Sequence, residues 1–113
     1  MAAHGLPASE PIEGDWTANA GYELGKALAT GKRNFTAIFV ANDQMAIGIL
    51  HAFHDAKISI PGQVSIVGFD DLPEAAHIEP PLTTVRQDFN EVGKRAVALL
   101  LDELSGAPNR LPL

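Results

Sequence analysis

The fold class is decided by residues 35–43, which read FTAIFVAND and lead a mainly apolar run into an Asn-Asp pair. Residues 64–71, VSIVGFDD, repeat this pattern and close on two carboxylates. Both runs are rich in β-branched or aromatic residues, which is typical of strands covered on both faces by helices. Because ligands bind at the carboxyl ends of strands in open α/β sheets, the polar residues that follow each run mark the edge where a binding site is expected.

Apolar residues at helical spacing predict α-helices over residues 17–30, 43–56 and 89–105. The residues predicted to share one face of the first helix are Ala20, Leu24, Ala27 and Leu28. Those predicted to face the core from the second helix are Met45, Ile49 and Phe53, with Ala46 and Leu50 beside them. Asp43 and Asp88 directly precede helical patterns and are expected to be N-caps. Successive strands that are separated by helices pair in parallel through right-handed crossovers. The predicted fold class is therefore α/β, with a small parallel sheet and helices on both faces.

The predicted organisation is one domain. Residues 1–13 contain two prolines and no periodic pattern, so they are predicted to be an irregular terminus, and residues 14–113 form the domain. The chain has 113 residues, of which 46% are hydrophobic, which is enough for one small core and argues against disorder.

Composition also bears on location and partners. The sequence has no export signal, no apolar run of the roughly 18 to 20 residues that a membrane span needs, and no cysteine, so a cytoplasmic location is expected. The net charge is −6 and no Lys/Arg cluster is present, so this chain by itself should be repelled by DNA and by anionic membranes.

Polar side chains gather at one predicted edge of the sheet. Asn42, Asp70 and Gln87 each follow an extended segment, and their planar groups suit the vicinal hydroxyls of a sugar. Trp16 and Phe89 add flat apolar faces that suit a sugar ring or a nucleobase, although Trp16 also fits a core position. These five residues are the candidate ligand-binding set.

Two patterns that resemble catalytic or metal sites are set aside. Glycoside hydrolysis needs two carboxyl groups about 5 to 9.5 Å apart across one bond, whereas the adjacent Asp70 and Asp71 tend to diverge on a turn. His51 and His54 lack a third metal ligand in register, which favours a solvated or interface surface. The sequence contains no phosphate-binding loop, dinucleotide motif or nucleophile elbow, so neither an enzyme nor a cofactor is predicted.

Four blocks, taken together, resemble the LacI/GalR family of bacterial transcription regulators. They read GDWT at 14–17, TAIFVANDQMAIG at 36–48, VSIVGFDD at 64–71 and PLTTV at 81–85, and the match in order and spacing covers residues 14–106. The resemblance implies a partial lobe of an effector-binding core with the type I fold of periplasmic sugar-binding proteins, in which the ligand lies between two lobes. It implies a sugar or nucleoside-like effector. A sugar-binding protein of a transport system is the alternative.

The resemblance also assigns roles to residues. It implies that Asn42 and Asp70 bind effector hydroxyls, that Trp16 and Phe89 line the pocket, and that Gln87 lies at the crossover between lobes. The homodimer contact that it implies includes Tyr22, Asp43, Ile47, His51, His77 and Ile78. The helical pattern independently places Ile47 away from the core row of its helix, as an apolar residue on a polar face.

The family pattern is followed incompletely. Operator DNA would be bound only through a headpiece that this chain lacks, and the family's effector-binding arginine would fall upstream of Met1, so the chain is expected to be a fragment. Lys57 occupies a position where the family usually has glycine, so the turn after the second helix is expected to use a non-glycine cap or a looser geometry.

Overall fold

The computed structural model describes residues 4–6 and 9–106. Its elements are helix α1 (Ala18–Thr30), strand β1 (Ala37–Phe39), helix α2 (Asp43–Asp55), strand β2 (Ser65–Asp70), a 3-10 turn (Pro73–Ala76), strand β3 (Thr83–Arg86) and helix α3 (Phe89–Ser105). The strands pair in parallel in the order β1-β2-β3, which confirms the α/β class and the small parallel sheet.

The ends of the chain are only partly covered. Residues 9–13 form neither helix nor strand, and residues 1–3, 7–8 and 107–113 of the predicted terminus and domain lie outside the described residues. Within the described part of the chain, no helix is both long and apolar enough to cross a membrane.

The core lies between α2 and one face of the sheet. All five residues predicted for the core side of α2 are buried, and they pack with Val40, Val64, Ile66 and Leu82. On the opposite face of the sheet, Phe39 is 67% exposed and Val85 is 45% exposed. The predicted helices therefore cover one face of the sheet. On the other face, Phe39 and Val85 are left exposed by the described residues.

Helices α1 and α2 approach each other through glycine. Gly21 and Gly25 are the buried residues of α1. A β-carbon at Gly48 of α2 would collide with the backbone of Ala18 and Tyr22, and one at Gly21 would collide with the backbone of Met45. On the predicted apolar face of α1, Ala20, Leu24 and Leu28 are half-buried and Ala27 is exposed. Close contact between the two backbones is joined by side-chain packing from Leu28 and Ala29, which lie partly buried against the core.

Helix α3 has clear boundaries but contributes nothing to the core. The Asp88 carboxylate accepts a hydrogen bond from the Glu91 N–H at 3.0 Å, which confirms Asp88 as the N-cap. Gly106 adopts the left-handed conformation at φ 74° and ends the helix. None of its residues is buried, and its exposed large apolar side chains are Phe89, Val92, Val97, Leu100, Leu101 and Leu104.

Candidate ligand-binding edge

The segment that carries Trp16 is tied to the start of α2. Asn42 is buried and is the N-cap of α2, since its Oδ1 accepts from the Met45 N–H at 3.1 Å. Its Nδ2 donates to the Trp16 carbonyl at 2.9 Å and to Gln44 Oε1 at 3.3 Å. The side-chain amide of Asn42 therefore holds two parts of the edge together, and what it retains for a ligand is the second lone pair of Oδ1.

Asp43 has a different role from the two predicted for it. Asn42 caps the helix, so the prediction that Asp43 is the N-cap is wrong. Asp43 is fully buried, with Oδ2 accepting from the Leu72 N–H at 2.8 Å and Oδ1 accepting from the Thr84 hydroxyl at 2.6 Å. Because it has no exposed surface, its placement at the dimer contact is also wrong.

Asp70 presents a carboxylate that the chain leaves available. It ends β2, its carbonyl accepts from the Gln87 N–H at 3.2 Å, and its side chain is half-buried. That side chain forms no hydrogen bond or ion pair with any described residue. The neighbouring Asp71 is engaged instead: its N–H donates to Thr84 Oγ1 at 3.3 Å, and its carboxylate lies 4.0 Å from Arg86 Nε.

Backbone strain is concentrated at the same edge. Four described residues other than glycine have positive φ, and three of them are Trp16 at 73°, Asp70 at 125° and Asp71 at 60°. Positive φ is costly for residues with a side chain, and such strain clusters at functional sites. The loop at Trp16 is held by Asp15, whose carboxylate accepts from the Thr17 N–H at 3.0 Å and from the Thr17 hydroxyl. The side-chain bond from Thr17 lowers the pKa of Asp15.

The two aromatic candidates are surface residues. Trp16 is 60% exposed and Phe89 is 55% exposed, so the core alternative for Trp16 is excluded within the described chain. Gln87 is half-buried and reaches Asp70 through its backbone. The structure thus links Trp16 to Asn42 and Gln87 to Asp70 by hydrogen bonds, and it places Phe89 two residues beyond Gln87 at the start of α3.

The edge is open. A cavity of about 450 Å³ near Arg33 and Lys57, and another of about 390 Å³ near Leu50 and Ile66, are lined by none of the five candidate residues. Among the described residues there is also no group of three side chains that could hold a metal ion. The chemistry available at this edge is hydrogen-bond acceptance by the free Asp70 carboxylate, beside the exposed aromatic surfaces of Trp16 and Phe89.

A second cluster lies on the outer side of α1 and α2. The Tyr22 hydroxyl donates to Asp55 Oδ2 at 2.7 Å, His51 Nε2 lies 3.5 Å from the same oxygen, and the Tyr22 and His51 ring centroids are 4.7 Å apart. The bond to the carboxylate favours the protonated phenol and raises the pKa of Tyr22. We call Tyr22, Ile47, His51 and Asp55 the α1–α2 face.

Asp55 is not among the residues predicted for the interface, although its spacing of four residues from His51 is a usable signal. Two further interface candidates lie near the 3-10 turn: His77 is exposed and Ile78 is half-buried. Neither shares a described hydrogen bond with the α1–α2 face.

Comparison with known proteins identifies the family. Residues 1–112 match the periplasmic binding protein-like domain family. The lactose operon repressor of Klebsiella pneumoniae is 43% identical over 103 residues, which is 91% of this chain and 29% of that protein. The ribose operon repressor of Escherichia coli K12 is 30% identical over 100 residues, which is 88% of this chain and 30% of that protein.

A solved structure gives the same result in three dimensions. The lac repressor dimer bound to operator and the anti-inducer ONPF superposes with a TM-score of 0.87 at 33% identity, over 93% of this chain and 37% of that one. The chain therefore spans about 30% of the length of the two curated relatives.

Proposed function

Because this chain belongs to the LacI family of transcription regulators and carries its periplasmic binding protein-like domain, we propose that it binds a small sugar as the effector of a repressor. The observation that carries the proposal is the half-buried Asp70 carboxylate, which has no partner among the described residues and stands on strained backbone at the carboxyl edge. A carboxylate accepts hydrogen bonds from two neighbouring hydroxyls at once, which suits a sugar diol. Trp16 and Phe89 offer apolar surface to the ring.

The comparisons favour a sugar over a nucleoside. The two relatives are named as lactose and ribose operon repressors, and neither name points to a nucleobase. Both relatives are also named as repressors, so the alternative function, a sugar-binding protein of a transport system, is less favoured. In this proposal Asn42 contributes through the free lone pair of its Oδ1, while Gln87 positions Asp70 through the backbone bond.

The open edge has a consequence for affinity. Hydrogen bonds that stay exposed to water contribute only about 0.5 to 1.5 kcal/mol each, and a few of them barely offset the entropy lost on binding. This chain alone should therefore bind a sugar no more tightly than about millimolar. A surface that closes over Asp70 in the full-length protein would exclude water and strengthen the same bonds.

The test is calorimetry on the full-length protein with lactose, ribose and related sugars. Asp70→Asn removes the charge and should weaken the tightest-binding sugar by at least about tenfold, since charge-assisted bonds contribute roughly 1.5 to 3 kcal/mol. The matched control is Asp71→Asn, which changes a neighbouring carboxylate whose one polar side-chain contact among the described residues is the 4.0 Å pair with Arg86. Normal binding by Asp70→Asn, or equal losses in both variants, would contradict the proposed site.

The proposal includes self-association through the α1–α2 face and operator binding by the whole protein. Ile47 is an apolar residue on the surface side of α2, beside the Tyr22–His51–Asp55 cluster, and such a face suits a twofold contact. The net charge of −6 leaves DNA contact to other parts of the whole protein, so this chain alone should not bind a duplex. A cytoplasmic location follows from the proposed role.

A further inference from the structure

A hydrogen-bond network around the fully buried Asp43 joins the candidate ligand edge to the first residue of α2. The Asp71 N–H donates to Thr84 Oγ1 at 3.3 Å, and the Thr84 hydroxyl donates in turn to Asp43 Oδ1 at 2.6 Å. The Leu72 N–H donates to the other carboxylate oxygen of Asp43 at 2.8 Å. The two residues that directly follow Asp70 are therefore attached to Asp43, one of them through Thr84.

The surroundings of Asp43 are built around its carboxylate. A β-carbon at Gly68 would collide with Asp43 Oδ1, so the glycine leaves the space that this oxygen occupies. Asp43 lies in the first turn of α2, where the helix dipole favours negative charge. Because a buried polar group without partners costs free energy, the bonds from Leu72 and Thr84 hold the turn after β2 and the helix in one relative position.

Helix α2 extends from this network to the α1–α2 face. Ile47 and His51 lie one and two turns beyond Asp43 on the same helix. The helix is packed along its inner side, with Met45, Ile49 and Phe53 buried, so it should move as a unit. A change in the turn at Asp70–Leu72 thus has a direct route to the surface proposed for a second copy of the chain.

We propose that Asp43 and Thr84 are positioning residues that couple ligand binding at Asp70 to the placement of α2. The inference rests on the proposed function, because it requires a ligand at Asp70. A ligand bound to Asp70 favours one arrangement of the left-handed Asp70–Asp71 backbone, and Asp43 passes that preference to the helix. Coupling of this kind is a free energy shared between two sites, carried by an element that both sites bias.

A purely structural role for the network makes a different prediction. If Thr84 and Asp43 only hold the fold, their loss lowers stability and leaves the response of α2 to ligand unchanged. The measurement must therefore report on α2 itself in protein that has ligand bound. Hydrogen exchange of the amides of residues 47–55 does so, and these residues lie at least one turn beyond the network.

The experiment compares Thr84→Val with Thr83→Val in the full-length protein. The substitution at Thr84 keeps the shape and removes the hydroxyl, while Thr83 lies on the same strand, is exposed and makes no described side-chain hydrogen bond. Exchange is measured with and without lactose or ribose, whichever calorimetry shows to bind, at concentrations that saturate each variant. Thr84→Ser, which retains the hydroxyl, serves as the rescue variant.

In wild type, Thr83→Val and Thr84→Ser, we expect ligand binding to change the exchange rates of residues 47–55 by at least about threefold. In Thr84→Val, we expect this change to be lost. A ligand-saturated Thr84→Val protein that keeps the wild-type change overturns the proposal, and so does a wild type that binds sugar without any change in α2. A wild type that binds no sugar overturns the proposed function together with the coupling, and it is recognised before any variant is compared.

Discussion

Lys57 shows how a single residue meets the geometric demand of a helix end. Helix α2 closes with a Schellman motif, in which the Ile58 N–H donates to the Phe53 carbonyl at 2.9 Å and the Lys57 N–H donates to the His54 carbonyl at 3.0 Å. This motif requires a left-handed residue, and Lys57 adopts φ 61°. The expected non-glycine cap is confirmed, and the position carries strain that glycine would not have.

Lys57→Gly should therefore raise the free energy of unfolding by up to about 1 kcal/mol. The left-handed conformation costs roughly 1 to 2 kcal/mol for a residue with a side chain, and the larger conformational entropy that glycine loses on folding offsets part of the relief. Urea denaturation measures the change. Lys57→Ala keeps the steric cost and should show no gain. An alanine variant as stable as the glycine variant would refute the explanation by strain.

The choice between Asn42 and Asp43 marks what local sequence could not decide. Both are good capping residues, and the pattern placed the helix start correctly to within one residue. Which of them caps depends on partners remote in sequence, since Asp43 bonds to Leu72 and Thr84, 29 and 41 residues away. Asp70 was found because it ends a strand, a local property. Whether the Asp70 carboxylate has a partner, and whether the backbone around it is strained, depends on tertiary structure. Neither could be predicted from the local sequence.

At the level of elements, α2 was predictable and the packing of α1 was not. The burial of Met45, Ile49 and Phe53 follows from the 3.6-residue period of apolar side chains. The contact surface of α1 is made by Gly21 and Gly25, which carry no hydrophobic signal. Small residues let two helix backbones approach closely, and only the packed pair of helices shows this.

Gly48→Ala should consequently destabilise the protein by about 1 to 3 kcal/mol or more, since overpacking forces shifts in well-packed elements. The new β-carbon would collide with backbone atoms of Ala18 and Tyr22, which cannot rotate away. The same substitution at Gly93 in α3, where a β-carbon would meet nothing within 4 Å, should instead stabilise by roughly 0.5 to 1 kcal/mol through helix propensity. Thermal and urea unfolding compare the two, and a Gly48→Ala protein as stable as Gly93→Ala would show that the helices are not in backbone contact.

At the scale of the whole molecule, α2 links the two surfaces that matter for the proposed function. Its N-terminus lies at the ligand-binding edge through Asn42 and Asp43, and its outer side carries Ile47 and His51. The sequence predicted these two surfaces separately, one from strand ends and one from an apolar residue on a polar face. Their connection through a single helix became visible only when Asp43 was placed in three dimensions.

The α1–α2 face should hold two copies of the chain together at micromolar concentration. Ile47→Glu puts a carboxylate into a contact that must exclude water, and an unpaired charge there is costly, so the dimer dissociation constant should rise by at least about tenfold. Gln63→Glu adds the same charge at an exposed position outside this face, where the side chain accepts from the Ser59 N–H, and should leave the dimer unchanged. Sedimentation equilibrium measures all three proteins. A wild-type chain that stays monomeric at high concentration would show that the twofold contact lies elsewhere. A Gln63→Glu variant that dissociates as readily as Ile47→Glu would show that the effect comes from net charge alone.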